Sequence, residues 1–194
     1  MRNAECEVRN GEMRNGEMRN SKSQGDNPKS RPLAFIALGS NLGDSHQIIL
    51  RAMDCLERLS DRPLLRSSLW RTSPVECPPD SPPFINAVVG LNPRPDESPE
   101  SLVAKLQEIE TEFGRHAKKA LNEPRPLDLD LVCFGALTRN TARLTLPHPR
   151  AHERRFVLAP LVEIAPDLIL PGQAKTARQL LAELKSAETV ARLS

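Results

Sequence analysis

The sequence predicts an α+β domain: an antiparallel sheet with two helices packed on it, in the chain order β-α-β-β-α-β. Three observations predict it. Short apolar runs bounded by Gly, Pro, Ser and Asn alternate with two stretches of helical period. The second and third of these runs have no helical stretch between them, only a proline-rich loop. A length of 194 residues holds one ordinary domain, extended at its ends.

Residues 1–31 are a different material. "RNGEMRNGEMRN" is a five-residue repeat starting at Arg9, followed by "SKSQGDNPKSRP". Almost nothing in it can be buried, so ordering it costs entropy without return. A disordered tail is expected. It carries Glu as well as Arg and lacks an amphipathic stripe, unlike an organelle transit peptide. Met13 and Met18 leave a later natural start open.

The first strand is expected over 33–38, stopped by Gly39-Ser40-Asn41 and Gly43. Asp44 suits an N-cap, with Gln47 completing a capping box. Ile48, Ala52, Cys55 and Leu59 then recur at 4, 3 and 4, the stripe of an amphipathic helix. A second strand follows near 64–71, "LLRSSLWR", and then the loop "TSPVECPPDSPP", whose prolines exclude regular structure. "FINAVVGL" at 84–91 is the third strand. Ser98 and Pro99 open a second helix as N-cap and N1. Its stripe is Leu102, Leu106, Ile109 and Phe113, and Gly114 ends it.

The fourth strand, 127–134, holds Leu127-Asp128-Leu129-Asp130-Leu131. Taken in order, these elements give the ferredoxin-like arrangement, with two helices on one face of the sheet. Beyond it, 143–194 adds an edge segment, helical pieces around 152–164 and a last helix near 176–185. The domain is expected over 32–186, with 187–194 frayed.

Composition excludes some functions. A net charge of +2 gives no sign of a general nucleic-acid binder, and five Phe, one Trp and no Tyr cannot tile a base-stacking sheet. The four cysteines form no C-x-x-C pair and read as reduced, with Cys55 and Cys133 expected in the core. There is no membrane-length apolar run and no secretory core at the N-terminus. A cytoplasmic protein is expected.

The chemistry is expected around Asp128 and Asp130. Strict alternation puts both on one strand face, roughly 7 Å apart, where like charges repel. Either that face is solvated, or the pair holds a hard divalent cation such as Mg²⁺ together with substrate phosphates. Arg115, His116, Lys118, Lys119 and Arg125 lie upstream, and His148, Arg150, His152, Arg154 and Arg155 downstream. For either cluster alone, a solvated charged loop is the competing reading. Both flanking a diacid strand suit a polyphosphate, whose oxygens guanidinium forks neutralise.

Other motifs carry less. "GSNLGD" lacks the G-K-[ST] ending of a P-loop and reads as a turn and cap. His148 and His152 have zinc-like spacing, but Pro147 and Pro149 disfavour a helix there. Asn86 in "FINAVV" is either structurally hydrogen-bonded or reads a polar ligand edge. A regulatory or RNA-binding module of the same fold and a two-metal nuclease remain as rival readings.

"PRPLDLDLVCFG", with "GSNLGD" before it and "LPHPRAHERRFVLAPLVEIAPDL" after it, resembles the 6-hydroxymethyl-7,8-dihydropterin pyrophosphokinases of folate biosynthesis, from about Ala34 to Leu184. The resemblance implies transfer of the β,γ-diphosphate of ATP to the pterin hydroxymethyl group, releasing AMP. It implies two Mg²⁺ ions on Asp128 and Asp130, and Arg115 and Arg125 on a mobile catalytic loop. His148 and Arg154 match phosphate contacts during transfer, making four catalytic residues with the two loop arginines. Gln107, Glu110, Leu131 and Arg143 match the nucleotide side. Thr72, Val75, Phe84, Asn86 and Phe156 match the pterin pocket, with Asn86 hydrogen-bonding the ring and Phe156 stacking on it. A monomer is implied, with ATP and the pterin as its partners and neither nucleic acid nor membrane. Two positions depart from the pattern: Ala117 stands where a second loop arginine is common, and Asn122 where a Trp often covers the pterin.

Overall fold

The computed structural model describes residues 32–74, 81–115 and 124–193. Its elements in chain order are β1 (Ala34–Ser40), α1 (Ser45–Glu57), β2 (Leu65–Arg66), β3 (Trp70–Thr72), β4 (Phe84–Leu91), α2 (Pro99–Glu112) and β5 (Asp128–Phe134). A small ribbon of β6 (Arg139–Asn140) and β7 (Thr145–Leu146) follows. Then come a 3₁₀ turn (Ala151–Glu153), α3 (Arg155–Ile164), α4 (Ala177–Glu183) and β8 (Val190–Arg192). The main sheet runs β5-β1-β4-β3-β8, with β2 also on β4, and every pairing is antiparallel.

The long central strands follow from their sequences. β1 and β4 are β-branched and apolar runs with almost no exposure, as strands covered on both faces require. The expected second strand is broken in two. Ser67 and Ser68 interrupt it, and the Ser67 hydroxyl takes over part of the ladder by accepting the Val88 N–H at 2.9 Å.

Both helices on the first face start at the expected N-caps, although the Gln47 side chain makes no return bond to Asp44 that would complete the expected box. Asp44 accepts the Gln47 N–H at 3.2 Å, and Ser98 with Ser101 forms a reciprocal capping box ahead of Pro99. The α1 stripe differs from expectation. The side chains buried are Ile49, Ala52, Met53 and Leu56, whereas Ile48, Cys55 and Leu59 are half-buried. Consecutive Ile48-Ile49-Leu50 offer two stripes of equal hydropathy, and contact with the sheet selects the second.

The sheet is covered on both faces. Under α1 and α2 lie Ile36, Leu38, Val89, Leu129 and Leu131. On the opposite face α3 and α4 cover Phe35, Val88, Val132 and Cys133. Burial pushes the Cys133 thiol up to about 11. Two helices on one face is therefore only half of the packing.

The C-terminus also departs from expectation. Residues 187–194 were expected to fray, but β8 pairs with β3, setting Val190 opposite Thr72 and Arg192 opposite Trp70. Arg192 is further fastened to Glu163 at 3.0 Å and to the Ser68 hydroxyl at 2.8 Å. These cross-links hold a strand too short and too exposed to announce itself by periodicity.

Candidate active site

Asp128 and Asp130 stand where two clefts meet. One cleft, of about 320 Å³, runs across the β1–β4 face between Thr72, Phe84, Asn86 and Phe156. The other, of about 430 Å³, lies between α2 and the β6–β7 ribbon, with Gln107, Glu110, Leu131 and Arg143 in its wall. Arg115, Asp130 and His148 line both. Arg125, Asp128 and Arg154 lie on the first cleft's side. The structure thus brings together the described residues that the resemblance implied for the site, in two groups sharing one wall, whereas His152 and Arg155 of the downstream basic cluster line neither cleft.

The strand period explains the carboxylates. Pairing of Asp128 with Gly39 and Asp130 with Ala37 puts both on the face opposite Leu129 and Leu131. Asp128 is held by Arg115 Nη1 at 2.9 Å and Arg125 Nη2 at 2.7 Å. Asp130 is held more loosely, 3.5 Å from Arg154 Nη1 and 4.0 Å from His148 Nε2, and its side chain is 40 % exposed. Neither thiol nor a third carboxylate or imidazole completes a metal cage among the described residues. Two oxygen-donor carboxylates with open positions suit Mg²⁺, which keeps waters and takes its remaining ligands from substrate phosphates.

Each basic residue has a structural reason for its place. α2 stops at Gly114, whose φ of +87° is a left-handed cap that favours glycine. The turn sends Arg115 back onto the helix end, where its N–H donates to the Glu110 carbonyl at 3.0 Å and its guanidinium meets the Glu110 carboxylate. Glu110 is buried, and also accepts the Leu129 N–H at 2.7 Å, tying α2 to β5. Burial pushes its carboxyl above the usual range, against the opposing pull of the Leu129 N–H and Arg115.

Arg125 is pinned from far away in the sequence. Asn41 accepts its N–H at 2.9 Å, and donates its own N–H to the Arg125 carbonyl at 3.2 Å. Arg125 Nε is buried and makes no hydrogen bond with the described residues. A cation whose donor lacks a partner beside the carboxylate pair suits an anionic oxygen.

His148 is set by an irregularity in the sheet. The β1–β5 register shifts between Phe35 and Ile36, leaving Val132 without a Cα partner. The Val132 carbonyl accepts the His148 N–H at 2.8 Å, placing the imidazole beside Asp130. Burial holds the imidazole below its usual pKa, and Arg154 and Arg150 add to this against Asp130.

On the other side of the carboxylates, Asn86 Nδ2 donates to Thr72 Oγ1 at 2.7 Å, both groups being buried. The Asn86 carbonyl oxygen points towards Gly39, where an added Cβ would stand 3.0 Å from it. Arg154 lies over the Phe156 ring at 5.5 Å. Val75, His116, Ala117, Lys118, Lys119 and Asn122 lie outside the described residues. Sequence reasoning missed Glu188, which lines the first cleft, and Asn41, which holds the Arg125 backbone beside it, both through contacts distant in sequence. "GSNLGD" suggested a turn but not what its buried Asn would hold.

An α+β sheet carrying paired carboxylates, with arginines around them and a cleft on either side, defines a protein equipped to hold polyanionic ligands. Comparison with known proteins narrows this class. The family model for 7,8-dihydro-6-hydroxymethylpterin-pyrophosphokinase matches residues 35–166. The 2-amino-4-hydroxy-6-hydroxymethyldihydropteridine pyrophosphokinase of Haemophilus influenzae is 38% identical over 151 residues, covering 78% of this chain and 89% of that protein. Its counterpart in Pseudomonas aeruginosa is 41% identical over 137 residues, 71% of this chain and 83% of that protein. Among solved structures, a Plasmodium falciparum HPPK-DHPS superposes with a TM-score of 0.62 at 14% identity, over 78% of this chain and 43% of that one. That likeness concerns the fold. The chain belongs to the 7,8-dihydro-6-hydroxymethylpterin-pyrophosphokinase family, ATP-dependent transferases of folate biosynthesis.

Proposed function

We propose that the chain transfers the β,γ-diphosphate of ATP to the hydroxymethyl oxygen of 6-hydroxymethyl-7,8-dihydropterin, releasing AMP. The observation that carries this is the shared wall: Arg115, Asp130 and His148 line both clefts, so ligands in the two would meet at the carboxylates. The pterin occupies the cleft of Thr72, Phe84, Asn86 and Phe156, with Val75 beyond the described residues. The Asn86 carbonyl oxygen accepts from the ring's N–H edge while Thr72 fixes the amide's orientation. The Phe156 ring stacks on the pterin. ATP lies on the side of Gln107, Glu110, Leu131 and Arg143, with its triphosphate directed at the shared wall.

Asp128 and Asp130 would hold two Mg²⁺ ions, which when bound neutralise charge on the phosphates. Around them the chain's own groups orient the reaction. Arg115 and Arg125, held at Asp128, turn their donors to phosphate oxygens. Arg154 and His148, beside Asp130, stabilise charge on the transferring group. Attack of the hydroxyl at the β-phosphorus forms the new P–O bond as the bond to the α-phosphate oxygen breaks; AMP departs with the electron pair, and the hydroxyl proton is released to water.

The strand order β5-β1-β4-β3 supports reading the core as ferredoxin-like. The same reading takes the protein as a cytoplasmic monomer whose partners are its two substrates. The test is incubation with ATP, Mg²⁺ and the hydroxymethyl dihydropterin, with nucleotides resolved by chromatography. AMP is the expected product. ADP instead would overturn attack at the β-phosphorus.

A further inference from the structure

The C-terminal segment belongs to the first cleft as well as to the sheet. Glu188 is in the wall of that cleft with Thr72, Ser73 and Phe156. Its Oε2 accepts the backbone N–H of Phe156 at 3.2 Å. That N–H lies in the first turn of α3, whose donors have no partner within the helix. Arg154, at the N-cap, makes no side-chain capping bond. Glu188 therefore supplies from 32 residues away the cap that α3 lacks, with its negative charge at the positive end of the helix.

The chain holds Glu188 there by an independent set of bonds. Thr189 donates its N–H to the Ser73 hydroxyl at 3.1 Å, and Ser73 donates its own to the Thr189 carbonyl at 3.0 Å. The Ser186 hydroxyl accepts the Glu188 N–H at 3.1 Å. β8 then continues the pairing along β3, opposite Thr72. One short segment thus touches both supports of the cleft: the strand carrying Thr72, which orients Asn86, and the backbone carrying the Phe156 ring. The family match ends at residue 166, before this segment begins.

We propose that Glu188 is a positioning residue for the pterin, acting through Phe156. Its carboxylate fixes the Phe156 backbone, and so the angle at which the ring meets the pterin plane. This rests on the assignment of that cleft to the pterin.

The test uses full-length Glu188→Ala and Glu188→Gln with separate KM measurements for the two substrates. Glu188→Ala is expected to raise the pterin KM about tenfold, the loss of one charge-assisted hydrogen bond at the cleft wall. The ATP KM is expected to stay within about twofold, because the second cleft has no contact with the segment. Glu188→Gln keeps an oxygen that accepts the Phe156 N–H and should recover most of the loss. An unchanged pterin KM in Glu188→Ala, or equal rises in both KM values, would overturn the proposal. So would a Glu188→Gln as impaired as Glu188→Ala, since the carboxylate would then act by charge on the ligand itself. Failure of the underlying reading looks different: the unaltered chain would form no AMP with the pterin.

Discussion

The two faces of the sheet obey one period but serve different ends. On the α1–α2 face, the inward side chains of β1, β4 and β5 are apolar up to Ser40 at the end of β1: Ile36 and Leu38, Ala87 and Val89, Leu129 and Leu131. The other face is divided. Phe35, Val88 and Val132 continue it as core beneath α3 and α4. Where those helices stop covering the sheet, the same face carries Ala37, Gly39, Asn86, Asp128 and Asp130 instead. Asp128, Asp130 and Val132 are thus one row of alternate residues on β5, polar where the cover ends. The candidate site is not an addition to the fold. It is the uncovered half of one face, and a substitution's effect depends on which half it strikes.

The largest expected effect is at the row's polar end. Asp130→Asn should lower turnover about a thousandfold, roughly 4 kcal/mol of transition-state stabilisation, by weakening the metal site and its phosphate charge balance. Because its side chain is 40 % exposed, stability should change by less than about 0.5 kcal/mol. Steady-state kinetics with a thermal melt check both. Unchanged turnover in saturating Mg²⁺ would remove the carboxylate pair from the mechanism.

Next is a pair of core truncations, one beneath each face. Leu56 on α1 and Leu158 on α3 are both fully buried. Replacing either by Ala should cost roughly 3 kcal/mol and lower Tm by roughly 6–12 °C. The comparison predicts different kinetics. α1 carries no site residue, so Leu56→Ala should leave both KM values unchanged in the folded fraction. α3 begins beside Arg154 and carries Phe156, so Leu158→Ala should also raise the pterin KM several-fold. If the two variants share one kinetic profile, the faces are not functionally distinct.

How legible this was in the sequence varied with the range of the interactions. Local signals served well: the alternation of Leu127 to Leu131, the Ser98–Pro99 helix start and the stripe of α2 all rest on neighbours within a turn or a strand. They put Asp128 and Asp130 on one face. What no local signal carried was which helices cover which face, since amphipathicity states that a stripe is buried and not against what. The Ile48–Ile49 ambiguity in α1 has the same origin. Contacts between distant segments were least legible. Asn41 and Arg125 are 84 positions apart and Glu188 and Phe156 are 32 apart, and each pair is joined only once the sheet exists.

The smallest effect tests the comparison within a single face, using two glycines on it. A Cβ at Gly39, in the cleft, would stand 3.0 Å from Asn86 Oδ1. At Gly90, opposite Phe35, it would meet Leu65 and Phe35 side chains at 3.2 Å. Both contacts are tight, so both Ala variants should lose stability, by roughly 1–2 kcal/mol at Gly90 and less at Gly39, where the amide faces an open cleft. The kinetic consequences should reverse that order. Gly39→Ala turns the amide away from its place and should raise the pterin KM about tenfold with the ATP KM unmoved. Gly90→Ala should alter neither KM, because neither Leu65 nor Phe35 lines either cleft. A Gly39→Ala enzyme that melts earlier yet binds the pterin normally would mean that Asn86 does not read the ring, and that the uncovered half of the face contributes through its carboxylates alone.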